Sequence, residues 1–149
     1  MTKVKQNAGT AIAETEAVTS ESPGEASVGM HNRELAIKGE ACAARYLEMK
    51  GYEIVARNWT CPVGEVDIVA RTEDAIVFVE VKTRSNADRG FPEEAVTAKK
   101  RAKYEKLAAV FLQGFDAVEI AIRFDVIGIL VLGPERAIIR HHVNAFGAA

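Results

Sequence analysis

The segment from Gly64 to Lys82, GEVDIVARTEDAIVFVEVK, sets two runs rich in Val and Ile on either side of the short polar stretch RTED. Such runs fit a pleated, half-buried surface, and a brief polar break between them predicts a β-hairpin centred on Glu73-Asp74. In that register Val66, Ile68 and Ala70 stand opposite Val81, Val79 and Val77, a wholly apolar face that must be core. The other face pairs Val69 with Phe78, Asp67 with Glu80, and Glu65 with Lys82. A slip of one residue would carry Val66 and Ile68 onto the charged face, so the apolar pattern fixes the register. That register has a cost. Opposed β-carbons lie about 4.5–5.5 Å apart, and like charges there destabilise the pair.

Two opposed carboxylates with a lysine alongside are poor structural material and a good metal site. Mg²⁺ commonly takes one or two carboxylates together with waters and phosphate oxygens. Asp67 and Glu80 supply the first part, and Lys82, one pleat beyond Glu80, is placed to orient a water or to offset charge on a phosphate. The alternative is a charge network on a solvated edge strand, with Glu65–Lys82 as the stabilising pair. On the preceding helix, Ala36, Glu40, Ala43 and Leu47 form one stripe at helical spacing, so Glu40 beside Gly39 either reaches the sheet or lies on the helix surface.

Around this hairpin the order of elements is helix, three strands, helix, two strands. A helical pattern runs from Asn32 to Lys50 and stops at Lys50-Gly51. YEIVARNW reads as a strand and TCPVG as a loop. After SNADRGFP, a helix is expected to open at Pro92 and continue through an apolar stripe of Tyr104, Leu107, Ala108 and Phe111. IRFDVIGILVL and RAIIRH are the last strands, joined at Gly133-Pro134. This is an α/β arrangement with a sheet covered by helices.

Residues 1–29 contain no aromatic residue and are rich in Ala, Ser, Thr, Glu and Gly, which predicts a disordered tail ahead of one domain over 30–149. The tail holds two of the 19 basic and four of the 21 acidic residues, leaving 17 of each in the domain. A formal net charge of -2 argues against a protein that merely coats nucleic-acid backbone. It is compatible with an enzyme that approaches phosphate through bound cations. Cys42 and Cys61 are spaced for neither a metal knuckle nor a redox pair, and no apolar run has the length of a signal peptide or membrane span. The expectation is a soluble cytoplasmic protein with no membrane partner. No P-loop or Rossmann fingerprint is present. His141 and His142 alternate across a strand, so they are expected at the surface or in a capping role rather than on one metal. Lys99, Lys100, Arg101, Lys103 and Lys106 form a basic run on the second helix, either a solvated face or a backbone contact.

The ordered motifs KGEACAARYLEMKGYEIVARNW, GEVDIVA, VFVEVKTR, GFPEEAVTAKK, RFDVIGI and HHVNAF together resemble the YraN family of bacterial proteins, over Asn32 to Phe146. That family is similar to the restriction-endonuclease-like PD-(D/E)xK nucleases, especially archaeal Holliday-junction resolvases. The resemblance implies a mixed central β-sheet flanked by helices. It also implies a Mg²⁺ or Mn²⁺ site built from Asp67 and Glu80, with the Val81 carbonyl as a further ligand and Lys82 beside it as a catalytic residue. Glu40 matches the first-helix glutamate of the resolvase-like branch, which implies a catalytic role as an auxiliary metal ligand or a partner of a metal-bound water, and Lys99 matches a basic position of the family pattern. The proline expected just before the motif aspartate is absent, since Glu65-Val66 precede Asp67. The implied activity is endonucleolytic hydrolysis of DNA, at branched or single-stranded structures, with Arg84, Arg89, Lys99 and Lys103 as the local nucleic-acid footprint. The alternative is a non-catalytic DNA-binding or scaffolding protein of recombination or uptake machinery. Symmetric cutting of two strands would call for a homodimer.

Overall fold

A computed structural model describes residues 10–11, 25–85, 97–114 and 120–145. The elements are β1 (Thr10–Ala11), α1 (Glu25–Met49), β2 (Glu53–Cys61), β3 (Gly64–Arg71), β4 (Ala75–Ser85), α2 (Ala98–Gln113), β5 (Ala121–Gly133) and β6 (Arg136–His142). They form a single sheet in the order β1-β6-β5-β4-β3-β2. Among the described strands only β4 and β5 run parallel, in register from Ala75↔Ala121 to Ser85↔Val131, and α2 lies between them in the chain. A parallel neighbour needs such a crossover, whereas β2–β3, β3–β4 and β5–β6 are antiparallel and close through short turns. The layout is the mixed α/β one implied by the resemblance.

The RTED turn is fixed by its threonine. Thr72 Oγ1 accepts from the Asp74 and Ala75 amides at 3.1 and 3.0 Å, and the Thr72 amide donates to the Ala75 carbonyl at 2.9 Å. The hairpin register follows as expected, with Arg71↔Ile76, Ala70↔Val77, Val69↔Phe78 and Ile68↔Val79 paired. The ladder then ends. Asp67 and Glu80, and Glu65 and Lys82, are not ladder partners.

The faces also differ from the expected alternation at that point. Ile68, Ala70, Val77 and Val79 pack under Ala43, Ala44 and Leu47 of α1. Val66, expected with them, joins Val69, Ile76, Phe78 and Val126 under Tyr104, Leu107 and Ala108 of α2. Residues two apart on a regular strand share a face, so the strand breaks phase at Asp67. The break is shared by β2. Between the pairs Arg57↔Ile68 and Trp59↔Val66, Asn58 takes φ 52°, a left-handed conformation that asparagine tolerates better than most residues.

The α2 face is dominated by rings. Trp59, Phe111, Phe78, Phe124 and Tyr104 follow one another with centroids 5.2 to 5.9 Å apart, mostly edge to face, the arrangement that ring quadrupoles favour.

The end of α1 falls where Lys50-Gly51 predicts it. Gly51 takes φ 97°, its amide donates to the Glu48 carbonyl, and the Tyr52 amide donates to the Leu47 carbonyl at 2.9 Å. This is a Schellman closure, sealed by Leu47 and Tyr52 packing in one cluster. Three other boundaries move. The helix starts at Glu25 rather than Asn32, so it takes in the last part of the segment read as a tail, and Thr10–Ala11 pairs with β6. The rest of 1–24 lies outside the described residues. Strand β2 runs on through Thr60 and Cys61, which shortens the expected TCPVG loop to a turn at Pro62-Val63. Helix α2 starts at Ala98 rather than Pro92, because extended Thr97 caps it: its side chain accepts from the Lys100 amide. Pro92 lies outside the described residues.

Candidate functional site

Where β3 and β4 stop pairing, the Asp67 carboxylate does the work of the missing ladder bond. Its Oδ2 accepts from the Val81 amide at 2.8 Å. Burial pushes the Asp67 carboxyl up to about 7; the Val81 hydrogen bond opposes this, and Glu40, Glu80 and Glu65 add to it. Glu40 acts on Asp67 from α1, where it is half-buried beside fully packed Gly39. A Cβ on Gly39 would lie 2.9 Å from Thr83 Cβ and would overlap Thr83 Oγ1, so glycine lets α1 descend onto β4 at this point.

Glu80 points to the α2 side. Its side chain is 20% exposed and meets Lys100, whose Nζ lies 3.4 Å from Oε2 as a hydrogen bond and 3.3 Å from Oε1 as an ion pair. The Oε1 contact lacks hydrogen-bond geometry, and this buried oxygen has no hydrogen-bond partner. Burial also raises the Tyr104 hydroxyl well above the usual phenol range, with Glu80, Asp67 and Glu65 contributing. Glu40, Glu65, Asp67 and Glu80 therefore share one electrostatic neighbourhood.

The remaining expected residues lie around it. Lys82 follows Glu80 by one pleat and is half-buried, as is Arg84 farther along β4; Val81 turns its side chain to the α1 cluster. Lys99 and Lys103 are exposed on α2. Lys103 passes over Gly64, with Cε 3.0 Å from where a Cβ would stand. Arg89 lies outside the described residues.

The donor set suits a divalent cation of the Mg²⁺ or Mn²⁺ class in its chemistry. There are two strand carboxylates, one with an unbonded buried oxygen and the other lifted by burial and, to a smaller extent, by neighbouring acids. Among the described residues, no three carboxylate, imidazole or thiol side chains stand close enough to hold a metal ion together. Mg²⁺ needs only one or two, because waters and phosphate oxygens complete its shell. The residues that would hold it are Asp67 and Glu80.

Two features escaped the sequence reading. Lys100 was grouped with a basic helix face, yet it lies four residues before Tyr104 and seven before Leu107, on the buried stripe itself. The second is Asp125, fully buried in RFDVIGI. It accepts from Arg123 Nε and Nη2 at 3.0 and 2.9 Å and from the Asn144 amide at 2.9 Å, and lies 2.8 Å from His141 Nε2. Burial alone would raise the Asp125 carboxyl, but these partners hold it below the usual carboxylate range. Arg123 also donates to Tyr52 at 2.7 Å, and His141 Nδ1 meets the Tyr46 hydroxyl at 3.2 Å. His141 is thus a partly buried partner of Asp125, its side chain 9% exposed, rather than a surface or capping residue. The signal for Asp125 was its place as a charged residue within the apolar strand RFDVIGILVL.

The network joins segments from three of the resembling motifs, with Tyr46 and Tyr52 from the first, Arg123 and Asp125 from RFD, and His141 and Asn144 from HHVNAF. Comparison with known proteins agrees with that resemblance. Residues 39–129 match the family described as "Uncharacterised protein family UPF0102". The chain belongs to the UPF0102 family. This is the YraN family, and its members include close relatives of the chain. A UPF0102 protein of Geobacter sulfurreducens is 46% identical over 119 residues, covering 80% of this chain and 93% of its own. One from Syntrophomonas wolfei is 46% identical over 115 residues, 77% of this chain and 99% of its own. One from Beutenbergia cavernae is 51% identical over 92 residues, 62% of this chain and 78% of its own. None of the described helices of this UPF0102 chain is long and apolar enough to cross a membrane.

Proposed function

We propose that the chain is a divalent-metal-dependent nuclease that hydrolyses DNA phosphodiesters, with branched or single-stranded DNA as the substrate class. The observation that carries this reading is the unbonded, buried Oε1 of Glu80 in the same acidic neighbourhood as Asp67. Acids collected in one half-buried place repel one another, and a structural role gives no reason to gather them. A bound Mg²⁺ or Mn²⁺ would supply an activated water and polarise the phosphoryl oxygen. In this reading Asp67 and Glu80 hold the ion, with the Val81 carbonyl as a further ligand, and Glu40 supports Asp67 from α1. Lys82 orients the water or offsets charge on the phosphate. Arg84, Arg89, Lys99 and Lys103 hold the DNA backbone, a local footprint suited to a chain with net charge -2.

A second reading, a protein that binds DNA without cutting it, takes its support from the Lys100–Glu80 ion pair, which neutralises that carboxylate without a metal. One experiment separates the two. Labelled single-stranded, duplex, flap and four-way-junction DNA are incubated with the protein, with and without Mg²⁺ or Mn²⁺, and scored for cutting and for gel shift. Metal-dependent cutting that is lost in Asp67→Asn and Glu80→Ala, both still folded, is the expected result. Binding without cutting selects the second reading, and neither rejects both.

A further inference from the structure

We infer that Lys100 is the resident counter-ion of Glu80, holding the carboxylate while the site is free of metal and yielding it to a divalent cation. This rests on the reading that Asp67 and Glu80 bind such a cation. The geometry is that of a placeholder. Lys100 Nζ stands nearly equidistant from the two carboxylate oxygens, at 3.3 and 3.4 Å, and satisfies only Oε2 with a hydrogen bond. Oε1 stays buried and unbonded, so the lysine neutralises the charge without using the oxygen.

The placement of Lys100 on α2 points the same way. It is the third residue of a helix whose first turn contains Lys99, Lys100 and Arg101 and no acidic residue. The N-terminal turn is the positive end of the helix dipole and disfavours cations. Thr97 already satisfies the Lys100 amide, so the cap needs nothing from the lysine side chain. Glu80 is what favours an ammonium here. A lysine on a flexible four-carbon stem, 30% exposed, can swing towards solvent, which a packed guanidinium fork does less readily. A second cation on the same carboxylate repels the ammonium, so the two compete for Glu80.

The test is Mn²⁺ binding to the full chain, with free Mn²⁺ read by electron paramagnetic resonance at neutral pH. Removing the competitor in Lys100→Met should tighten Mn²⁺ binding about two- to fivefold, the upper part of the range for a solvent-accessible ion pair. Lys100→Gln should do the same and serves if the methionine variant folds poorly. Lys100→Arg should stay nearer to wild type. Lys106→Met removes a charge from the same helix at a greater distance and should shift affinity by less than about twofold, given screening. Unchanged or weaker binding in both neutral Lys100 variants overturns the inference, as does an equal gain in Lys106→Met. If Glu80→Gln loses Mn²⁺ while the Lys100 variants match wild type, the inference alone fails. No Mn²⁺ binding by the wild type overturns it together with the metal reading.

Discussion

Asp67 Oδ2 accepts a hydrogen bond from the Val81 amide at 2.8 Å, across the gap where β3 and β4 cease to pair. A carboxylate thus stands in for a backbone carbonyl, and the strands stay joined while their charged face opens. The substitution has an electrostatic consequence. Burial and three neighbouring acids carry the Asp67 carboxyl from 3.8 up to about 7.

The first prediction follows from that shift. Below about pH 4 Asp67 is protonated in both folded and unfolded chains and contributes nothing. Between 3.8 and about 7 the unfolded chain ionises while the folded one keeps its proton, so stability falls as pH rises, and above that window the penalty is complete. One pKa unit corresponds to about 1.36 kcal/mol, and screening of a half-buried group reduces the total to about 1–2 kcal/mol. In chelator, Asp67→Asn keeps an acceptor for Val81 and should be more stable than wild type by about that amount at pH 8. The gain should vanish towards pH 4. Urea unfolding across that range checks it, and parallel profiles for the two proteins would count against the buried-charge account.

A second prediction concerns the network around Asp125. Removing one partner of a buried, hydrogen-bonded charge strands the others, at a typical cost of about 3–5 kcal/mol. Asp125→Ala leaves Arg123, His141 and the Asn144 amide without their shared acceptor, and should fall in that range. Asp125→Asn retains an acceptor and should lose less, about 1–3 kcal/mol. Denaturant titration measures both. A loss below about 1 kcal/mol in the alanine variant would mean that the network is not holding β5, β6 and α1 together.

How far the sequence revealed these features depended on where its patterns were periodic. The hairpin register was legible because Ile68, Ala70, Val77 and Val79 admit only one alignment that buries them together. The Schellman end of α1 was legible because Gly51 is needed where φ is positive. The turn of Val66 to the opposite face was not legible, because alternation assumes an unbroken ladder and the break arises from a side chain replacing a ladder bond. Lys100 was hidden by composition: a lysine in a run of cations reads as solvent-facing unless its offset from Tyr104 and Leu107 is counted. Asp125 was hidden differently. Its direct partners are Arg123, His141 and the Asn144 amide, with Tyr52 and Tyr46 bonded in turn to Arg123 and His141, and only the fold brings these segments together.

A third prediction tests the start of α2. Thr97 accepts from the Lys100 amide at 3.1 Å, so Thr97→Ala should cost about 1 kcal/mol, while Thr97→Ser and Thr97→Asp should restore most of it. Thermal melts of the three variants check the ranking. An alanine variant equal to wild type would show that α2 does not depend on this cap to begin where it does.

The fourth prediction isolates the close approach of α1 to β4. A Cβ at Gly39 would meet Thr83 Cβ at 2.9 Å and Cγ2 at 3.0 Å and would overlap Oγ1. Alanine is otherwise the better helix former by about 1 kcal/mol, so intrinsic propensity favours Gly39→Ala. Overpacking opposes it, at about 1–3 kcal/mol, and the obstacle is a β-branched side chain on a strand rather than the far end of a flexible one. The net expectation is a loss of stability. Thr83→Ala removes Oγ1 and Cγ2 but keeps the Cβ 2.9 Å away, so Gly39→Ala in that background should cost less than in the wild type without becoming free of strain. A double-mutant cycle by urea unfolding reads the coupling directly, at about 1–2 kcal/mol for residues in contact. The same helix carries Glu40, whose charge reaches Asp67. Lifting α1 in Gly39→Ala should therefore weaken the pH dependence attributed to Asp67, a change that a purely local clash would not produce. Additive energies with an unaltered pH profile would instead mean that Glu40 keeps its place without the close approach.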